Sequence, residues 1–220
     1  MSKTILLAGA TGLVGSACLP LLLADERVGK VITLVRRPLD LHHAKLEQWI
    51  APSDDLLKGL KPQPVSAVIC CLGTTIKKAG SQAAFIAVDK DLPLGMAHWA
   101  KEQRVPTYCI ISALGADRGS RIFYSRVKGE VEQELEAMHF GSLAMFQPSI
   151  LIGPRKEKRF GEGVGIGVMK AIGPLLMGGM KKYRGMPHDV LAKALVNTAL
   201  SPEPGTHRYL YSDILRQAVA

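Results

Sequence analysis

Three side chains in the middle of the chain have the types and spacing for proton chemistry at a carbonyl group. Tyr124 and Lys128 stand four residues apart in Tyr124-Ser125-Arg126-Val127-Lys128. On a helix they share one face, about 5–6 Å apart at Cβ. An isolated phenol titrates at about pH 10. A neighbouring ammonium favours the phenolate and brings the phenol toward use as a proton donor near neutrality. Ser112 lies twelve residues upstream of Tyr124, and its hydroxyl can hydrogen-bond the same carbonyl oxygen. Tyr-x-x-x-Lys by itself is common on solvated helix faces, so the pattern needs a hydride source beside it.

That source is suggested by the start of the chain. Ile5-Leu6-Leu7-Ala8 is a short apolar run, followed by Gly9, Gly12 and Gly15 at three-residue spacing and then by a helical pattern. Strand, glycine turn and helix make the beginning of a dinucleotide-binding βαβ unit. Gly9 permits the tight turn, Gly12 the approach of a pyrophosphate, and Gly15 close packing of helix on strand. Free N–H groups and the helix dipole favour the phosphate anion, Thr11 offers a hydroxyl beside the turn, and Leu13 and Val14 are expected to contact the cofactor with it. A purely structural glycine turn is the plain alternative. Val31 to Val35 reads as the second strand, ended by Arg36-Arg37-Pro38. An acidic residue at that position binds a ribose 2′-hydroxyl, whereas an arginine accommodates a 2′-phosphate. Arg36 and Arg37 therefore predict NADP(H), with a solvated loop pair as the alternative.

The remaining elements must carry these groups to one sheet edge. Residues 44–50 form a weak third strand and Val65 to Leu72 a clear fourth, which ends at Gly73-Thr74-Thr75. Leu72, Gly73 and Thr74 are placed to meet the middle of the cofactor. Ala83 to Gln103 reads as one long helix, with Phe85, Val88, Leu92, Met96 and Trp99 as a core stripe and Pro93 as a kink. Thr107 to Ser112 is the fifth strand, delivering Ser112 to the carboxyl edge where open α/β sheets bind ligands. A helix begins near Arg121, and Leu143 to Gln147 is the sixth strand. Pro148 and Ile150 follow it at the nicotinamide end. The expected architecture is a Rossmann-type, doubly wound parallel α/β sheet over residues 1–220 as one domain.

From Arg155 the composition changes. Residues 154–184 hold eight basic side chains against Glu157 and Glu162, and include the run Gly161-Glu162-Gly163-Val164-Gly165-Ile166-Gly167. Residues 153–190 are expected to pack on the sheet as a lid that sets substrate choice. A patch for peripheral lipid or a protein partner is a competing reading. Nucleic acid is disfavoured, because no aromatic side chains are interleaved with the basic ones. Pro187-His188-Asp189-Val190 starts another helix, where His188 reads as a cap or surface residue, with reach into the substrate pocket as the alternative. A strand over 207–211 and a closing helix capped by Ser212 or Asp213 end the chain.

Composition excludes several classes. Cys18, Cys70, Cys71 and Cys109 lie in apolar patterns without Cys-x-x-Cys spacing, and His42-His43 stand apart from other ligands. Buried thiols and surface histidines are expected, and no metal site. No run of about twenty apolar residues suggests a membrane span, and no Gly-x-Ser-x-Gly elbow occurs. The chain carries a net charge of +9, compatible with an anionic cofactor or substrate. Met1-Ser2-Lys3 leads straight into the first strand, which leaves no room for a targeting peptide and predicts a cytoplasmic protein.

Taken together, Gly9-Ala10-Thr11-Gly12, Arg36-Arg37, Cys70-Cys71-Leu72-Gly73-Thr74-Thr75, Lys78-Ala79-Gly80, Ser112 and Tyr124 with Val127-Lys128-Gly129-Glu130-Val131-Glu132 carry a family signature. The chain resembles the atypical branch of the short-chain dehydrogenase/reductase superfamily and, within it, the Tat-interactive protein 2 group of oxidoreductases. The resemblance covers residues 3–152 well. It implies Tyr124 as general acid, Lys128 as its pKa-lowering and ribose-binding partner, and Ser112 as the residue that orients the carbonyl. The superfamily's usual asparagine on the long helix has no counterpart near Val88-Asp89-Lys90. The expected activity is NADP(H)-dependent interconversion of a small-molecule carbonyl and an alcohol. A cofactor sensor without turnover is the rival reading.

Overall fold

The structure, a computed structural model, describes residues 2–52, 55–154, 180 and 183–219. Apolar alternation builds its centre. In strand β1 (Lys3–Ala8), Ile5 and Leu7 face one side of the sheet, and Leu6 and Ala8 the other; all four are buried. Both faces must therefore be covered, as in parallel sheets. Strands β2 (Val28–Val35), β3 (Leu46–Ile50), β4 (Ala67–Cys70), β5 (Thr107–Ile111) and β6 (Ser142–Phe146) join β1 in a parallel sheet closed by a later edge strand, Gly205–Tyr209. The spatial order is β3-β2-β1-β4-β5-β6 and then that edge strand. The expected α/β Rossmann-type sheet is thus present. The order reverses between β1 and β4, the point at which such sheets take ligands at their carboxyl ends.

Helix α1 (Gly15–Ala24) covers one face. The other face carries a helical run that differs from the single kinked helix expected over 83–103. Short α2 (Ile76–Ala79) and α3 (Gln82–Ile86) lead into a π-helical turn, Ala87–Asp91, before α4 (Leu92–Glu102). The Leu92 amide bonds the Ala87 carbonyl, five residues back. Pro93 supplies the reason: it has no N–H to offer the Asp89 carbonyl. Helix α5 (Phe123–Ala137) packs beside α4 on this face through Val131 and Leu135.

Strands β7 (Leu151–Ile152) and β8 (Met186–Pro187) form a separate parallel pair, and α6 (His188–Leu200) returns to the face of α1. The sheet's edge strand is β9 (Gly205–Tyr209), two residues earlier than the sequence suggests, and α7 (Tyr211–Gln217) ends the described chain. Its N-cap is Leu210 and not Ser212 or Asp213. The Asp213 carboxylate instead accepts the Leu210 amide at 3.0 Å. Most of the expected lid, residues 155–179 with 181 and 182, lies outside the described residues. Cys18, Cys70 and Cys109 are buried free thiols; Cys70 and Cys71 pack toward opposite faces of the sheet. His42 and His43 are exposed. Among the described residues there is no metal-ligand cluster, and no helix long and apolar enough to cross a membrane.

Candidate functional site

The loop after β1 has the shape its glycines require. Gly9 takes φ +80°, and a Cβ there would lie 2.7 Å from the Cys71 carbonyl. A Cβ on Gly15 would lie 2.7 Å from the Gly9 carbonyl carbon, so α1 starts directly against the turn. Any larger residue at either position pushes backbone against backbone. Thr11 and Gly12 form the exposed tip, Leu13 is half-buried, and the Val14 side chain is buried in the core beneath α1. The Gly12 amide turns inward onto the Gly9 carbonyl at 2.9 Å, whereas the Thr11, Leu13 and Val14 amides donate to no acceptor among the described residues. Free amides ahead of a helix, over glycines that leave room, suit a pyrophosphate. Arg36 and Arg37 follow β2 at the same sheet edge, exposed and without an acidic partner among the described residues.

The loop after β4 is pinned from behind. The Thr74 amide donates to Asp89 Oδ2 at 2.7 Å, and a Cβ on Gly73 would lie 3.5 Å from Asp89 Oδ1. Leu72 is half-buried and packs against the core on the face of α4, whereas Gly73 is exposed. Asp89 belongs to the π-helical turn and is itself buried. Its other oxygen, Oδ1, is 2.7 Å from the Lys128 ammonium, with side chains only 2% and 5% exposed. Burial pulls the Lys128 pKa down, but the Asp89 carboxylate and then the Tyr124 phenol oxygen outweigh it, so the net direction is upward. Lys128 therefore stays charged. The stretch that lacks the usual asparagine thus holds an aspartate that is ion-paired with the candidate lysine.

Tyr124 sits one turn before Lys128 on α5, half-buried, with its ring 5.6 Å from that of fully buried Phe85 on α3. The start of α5 is fixed by the loop that crosses it. The Asp117 amide bonds the Ser125 carbonyl at 3.0 Å, and a Cβ on Gly129 would fall 2.6 Å from Asp117 Cα. This glycine lets the loop lie directly on the helix.

Ser112 follows β5 as expected, but its hydroxyl donates to Glu132, two turns beyond Tyr124 on α5. Glu132 is buried and also accepts Gln147 Nε2 at 2.8 and 3.0 Å and Arg208 Nε at 3.0 Å. A serine has one hydroxyl proton, so this bond takes the one with which Ser112 would hold a carbonyl. The network ties the ends of β5, β6 and β9 to α5. Ser112→Ala is accordingly expected to cost about 1–2 kcal/mol of stability, since it removes a donor from a buried carboxylate. Urea unfolding set beside turnover tests this, with turnover changed less than threefold.

After β6, the Pro148 carbonyl accepts the Leu114 amide and the Ile150 carbonyl accepts the Met186 amide. His188 Nδ1 lies 3.2 Å from the Ile152 carbonyl. A Cβ on Gly153 would touch Leu13, so the β7–β8 pair closes against the glycine loop. Asp89 and the Glu132 cluster are the site features that residue spacing did not disclose.

A parallel sheet in this order, with a glycine loop after its first strand and a Tyr–Lys helix after its fifth, is a Rossmann-type fold similar to those of solved short-chain dehydrogenase and epimerase family proteins. Human epimerase family protein SDR39U1, solved with NADPH, superposes with a TM-score of 0.62 at 16% identity, over 94% of this chain and 74% of that one. No family model matches the chain. The Fmp52 protein of Aspergillus niger is 33% identical over 204 residues, covering 89% of this chain and 86% of its own. The rat protein HTATIP2 is 31% identical over 208 residues, covering 93% and 84%. The chain belongs to the family of HTATIP2 and the fungal Fmp52 proteins. The expected cytoplasmic location does not stand. The Aspergillus relative is named mitochondrial, as are those from Emericella nidulans, Eremothecium gossypii and Chaetomium globosum.

Proposed function

We propose that the protein is an NADP(H)-dependent oxidoreductase that interconverts a carbonyl and an alcohol, with Tyr124 as the general acid. The observation that carries this reading is the buried, ion-paired Lys128 one helical turn from Tyr124, at the sheet edge that also presents the glycine loop. The cofactor supplies the hydride. Gly9, Thr11, Gly12, Leu13 and Val14 hold its pyrophosphate, and Leu72, Gly73 and Thr74 border its middle. Lys128 grips the ribose, while Pro148 and Ile150 border the nicotinamide. Tyr124 gives its proton to the carbonyl oxygen, and the Lys128 ammonium stabilises the phenolate left behind.

Arg36 and Arg37 favour the phosphorylated dinucleotide, since two exposed guanidinium groups are available to a 2′-phosphate. The Arg36→Ala, Arg37→Ala double variant is expected to weaken NADPH binding about ten- to hundredfold and to leave NADH binding unchanged. Fluorescence titration with both dinucleotides reads this out. Absence of NADPH binding to the unaltered protein overturns the proposal.

One observation favours a second reading, a cofactor-binding regulator without turnover: the Ser112 proton already belongs to Glu132. NADPH consumption across a panel of aldehydes and ketones separates the two. Sustained turnover of any compound removes the regulator, and binding without turnover removes the enzyme.

A further inference from the structure

We infer that Asp89 is the positioning residue of this site, holding the Lys128 ammonium with one carboxylate oxygen and the Gly73–Thr74 loop with the other, so that the proton donor and the cofactor loop share one anchor. The inference deepens the reading proposed above and rests on it for its catalytic meaning.

Geometry carries the argument. Asp89 Oδ1 lies 2.7 Å from Lys128 Nζ, and Oδ2 lies 2.7 Å from the Thr74 amide nitrogen. Both charged side chains are almost wholly withdrawn from water. Such a pair gives little net stability over neutral groups of the same shape, so stability alone does not account for it. The carboxylate is presented by a π-helical turn that Pro93 creates four residues on. Single π turns inserted in a helix recur at functional sites. Here the turn gives Asp89 its reach toward two other elements at once, the loop after β4 and helix α5.

Several titratable groups of the described residues face the pair or lie beside it. Across from Lys128 stands the Cys70 thiol on β4, with the Tyr108 hydroxyl behind it on β5. Burial pushes the first up and the second well up, so both stay neutral near pH 7. Phe85 on α3 presents a ring to Tyr124. Lys90 in the π turn points elsewhere, to Glu130 at 2.9 Å and Glu134 at 2.9 Å. Asp89 is therefore the anion that balances Lys128 among the described residues. Removing its charge must make the Tyr124–Lys128 pair give up its first proton more readily, whichever member releases it.

Asp89→Asn keeps the shape and an oxygen for the Thr74 amide. In the cofactor-free protein, carbon-13 resonances of Tyr124 Cζ and Lys128 Cε are expected to show the first proton leaving about one pH unit lower than in the unaltered protein. The alkaline limb of the kcat profile for carbonyl reduction should move down with it. Asp89→Glu, which keeps the charge, should restore both midpoints. An unchanged midpoint in folded Asp89→Asn overturns the inference while leaving the oxidoreductase reading intact. A shifted midpoint in a protein whose unaltered form neither binds NADPH nor turns over supports Asp89 and overturns only that reading. If Asp89→Asn does not fold, the unaltered protein still decides. The Thr74 amide proton, bonded to the same carboxylate, should shift through the midpoint of the pair, and a resonance flat across the titration overturns the inference.

Discussion

Replacing Tyr124 with phenylalanine is expected to lower kcat for carbonyl reduction by a factor of about 10² to 10⁴, the usual contribution of one positioned general acid. NADPH affinity should stay within about threefold, because the lost atom is a phenol oxygen and the glycine loop and Arg36-Arg37 are untouched. The fold should be equally indifferent. Tyr124 is half-buried, and the ring that packs on Phe85 is retained in the variant. This combination separates proton transfer from binding: an interaction made mainly in the transition state lowers kcat and kcat/KM together. Stopped-flow NADPH oxidation, with a binding titration on the same preparation, measures both quantities. Equal turnover by the variant removes Tyr124 from the chemistry and leaves only the cofactor site of the proposal. The contrast with Ser112→Ala is informative, since that change is expected in stability and not in rate.

Those two expectations divide the site along the line between what residue spacing can and cannot disclose. The glycine loop is legible because each glycine answers a local demand: a positive φ at Gly9 and a close approach at Gly15. Tyr124 and Lys128 are legible because four residues always means one helix face. The central strands are legible because a run such as Val68-Ile69-Cys70 has to be buried on both faces. Ser112 stands one residue past the end of β5, but its partner Glu132 lies twenty residues on, and their meeting depends on how α5 crosses the sheet. Asp89 shows the same limit more sharply. In the sequence it is one acidic residue beside a stripe of apolar ones, and its spacing names no partner. Pro93, four residues later, predicts only a kink in an α-helix, whereas its missing amide produces a π turn that turns a carboxylate inward. The cap of α7 failed for a smaller reason: Asp213 serves the terminus from inside the first turn and not from the cap position. The cytoplasmic expectation is overturned by relatives that are named mitochondrial, and nothing in the packing of the sheet or its helices bears on location.

Lys128→Met is expected to have the largest effect on stability, a loss of about 3–5 kcal/mol, because it strands the Asp89 carboxylate in a site from which water is excluded. The side chain itself packs as well as before, since methionine matches most of the lysine stem. The cost is therefore electrostatic. Adding Asp89→Asn should recover most of it and bring the double variant to within about 1 kcal/mol of the starting protein, because no buried charge then lacks a partner and the Thr74 amide keeps an oxygen acceptor. Urea unfolding of the two single variants and the double closes the cycle, and the coupling should be large and favourable. A double variant as unstable as Lys128→Met alone would mean that packing, not charge, makes Lys128 necessary. If the recovery occurs, the ion pair is dispensable for folding. NADPH binding should nonetheless stay weakened and turnover low in the recovered double variant, because neither the ammonium nor its anchor is present. A pair that stability can do without, at the junction of the cofactor loop and the proton donor, is then explained by the position it imposes on both.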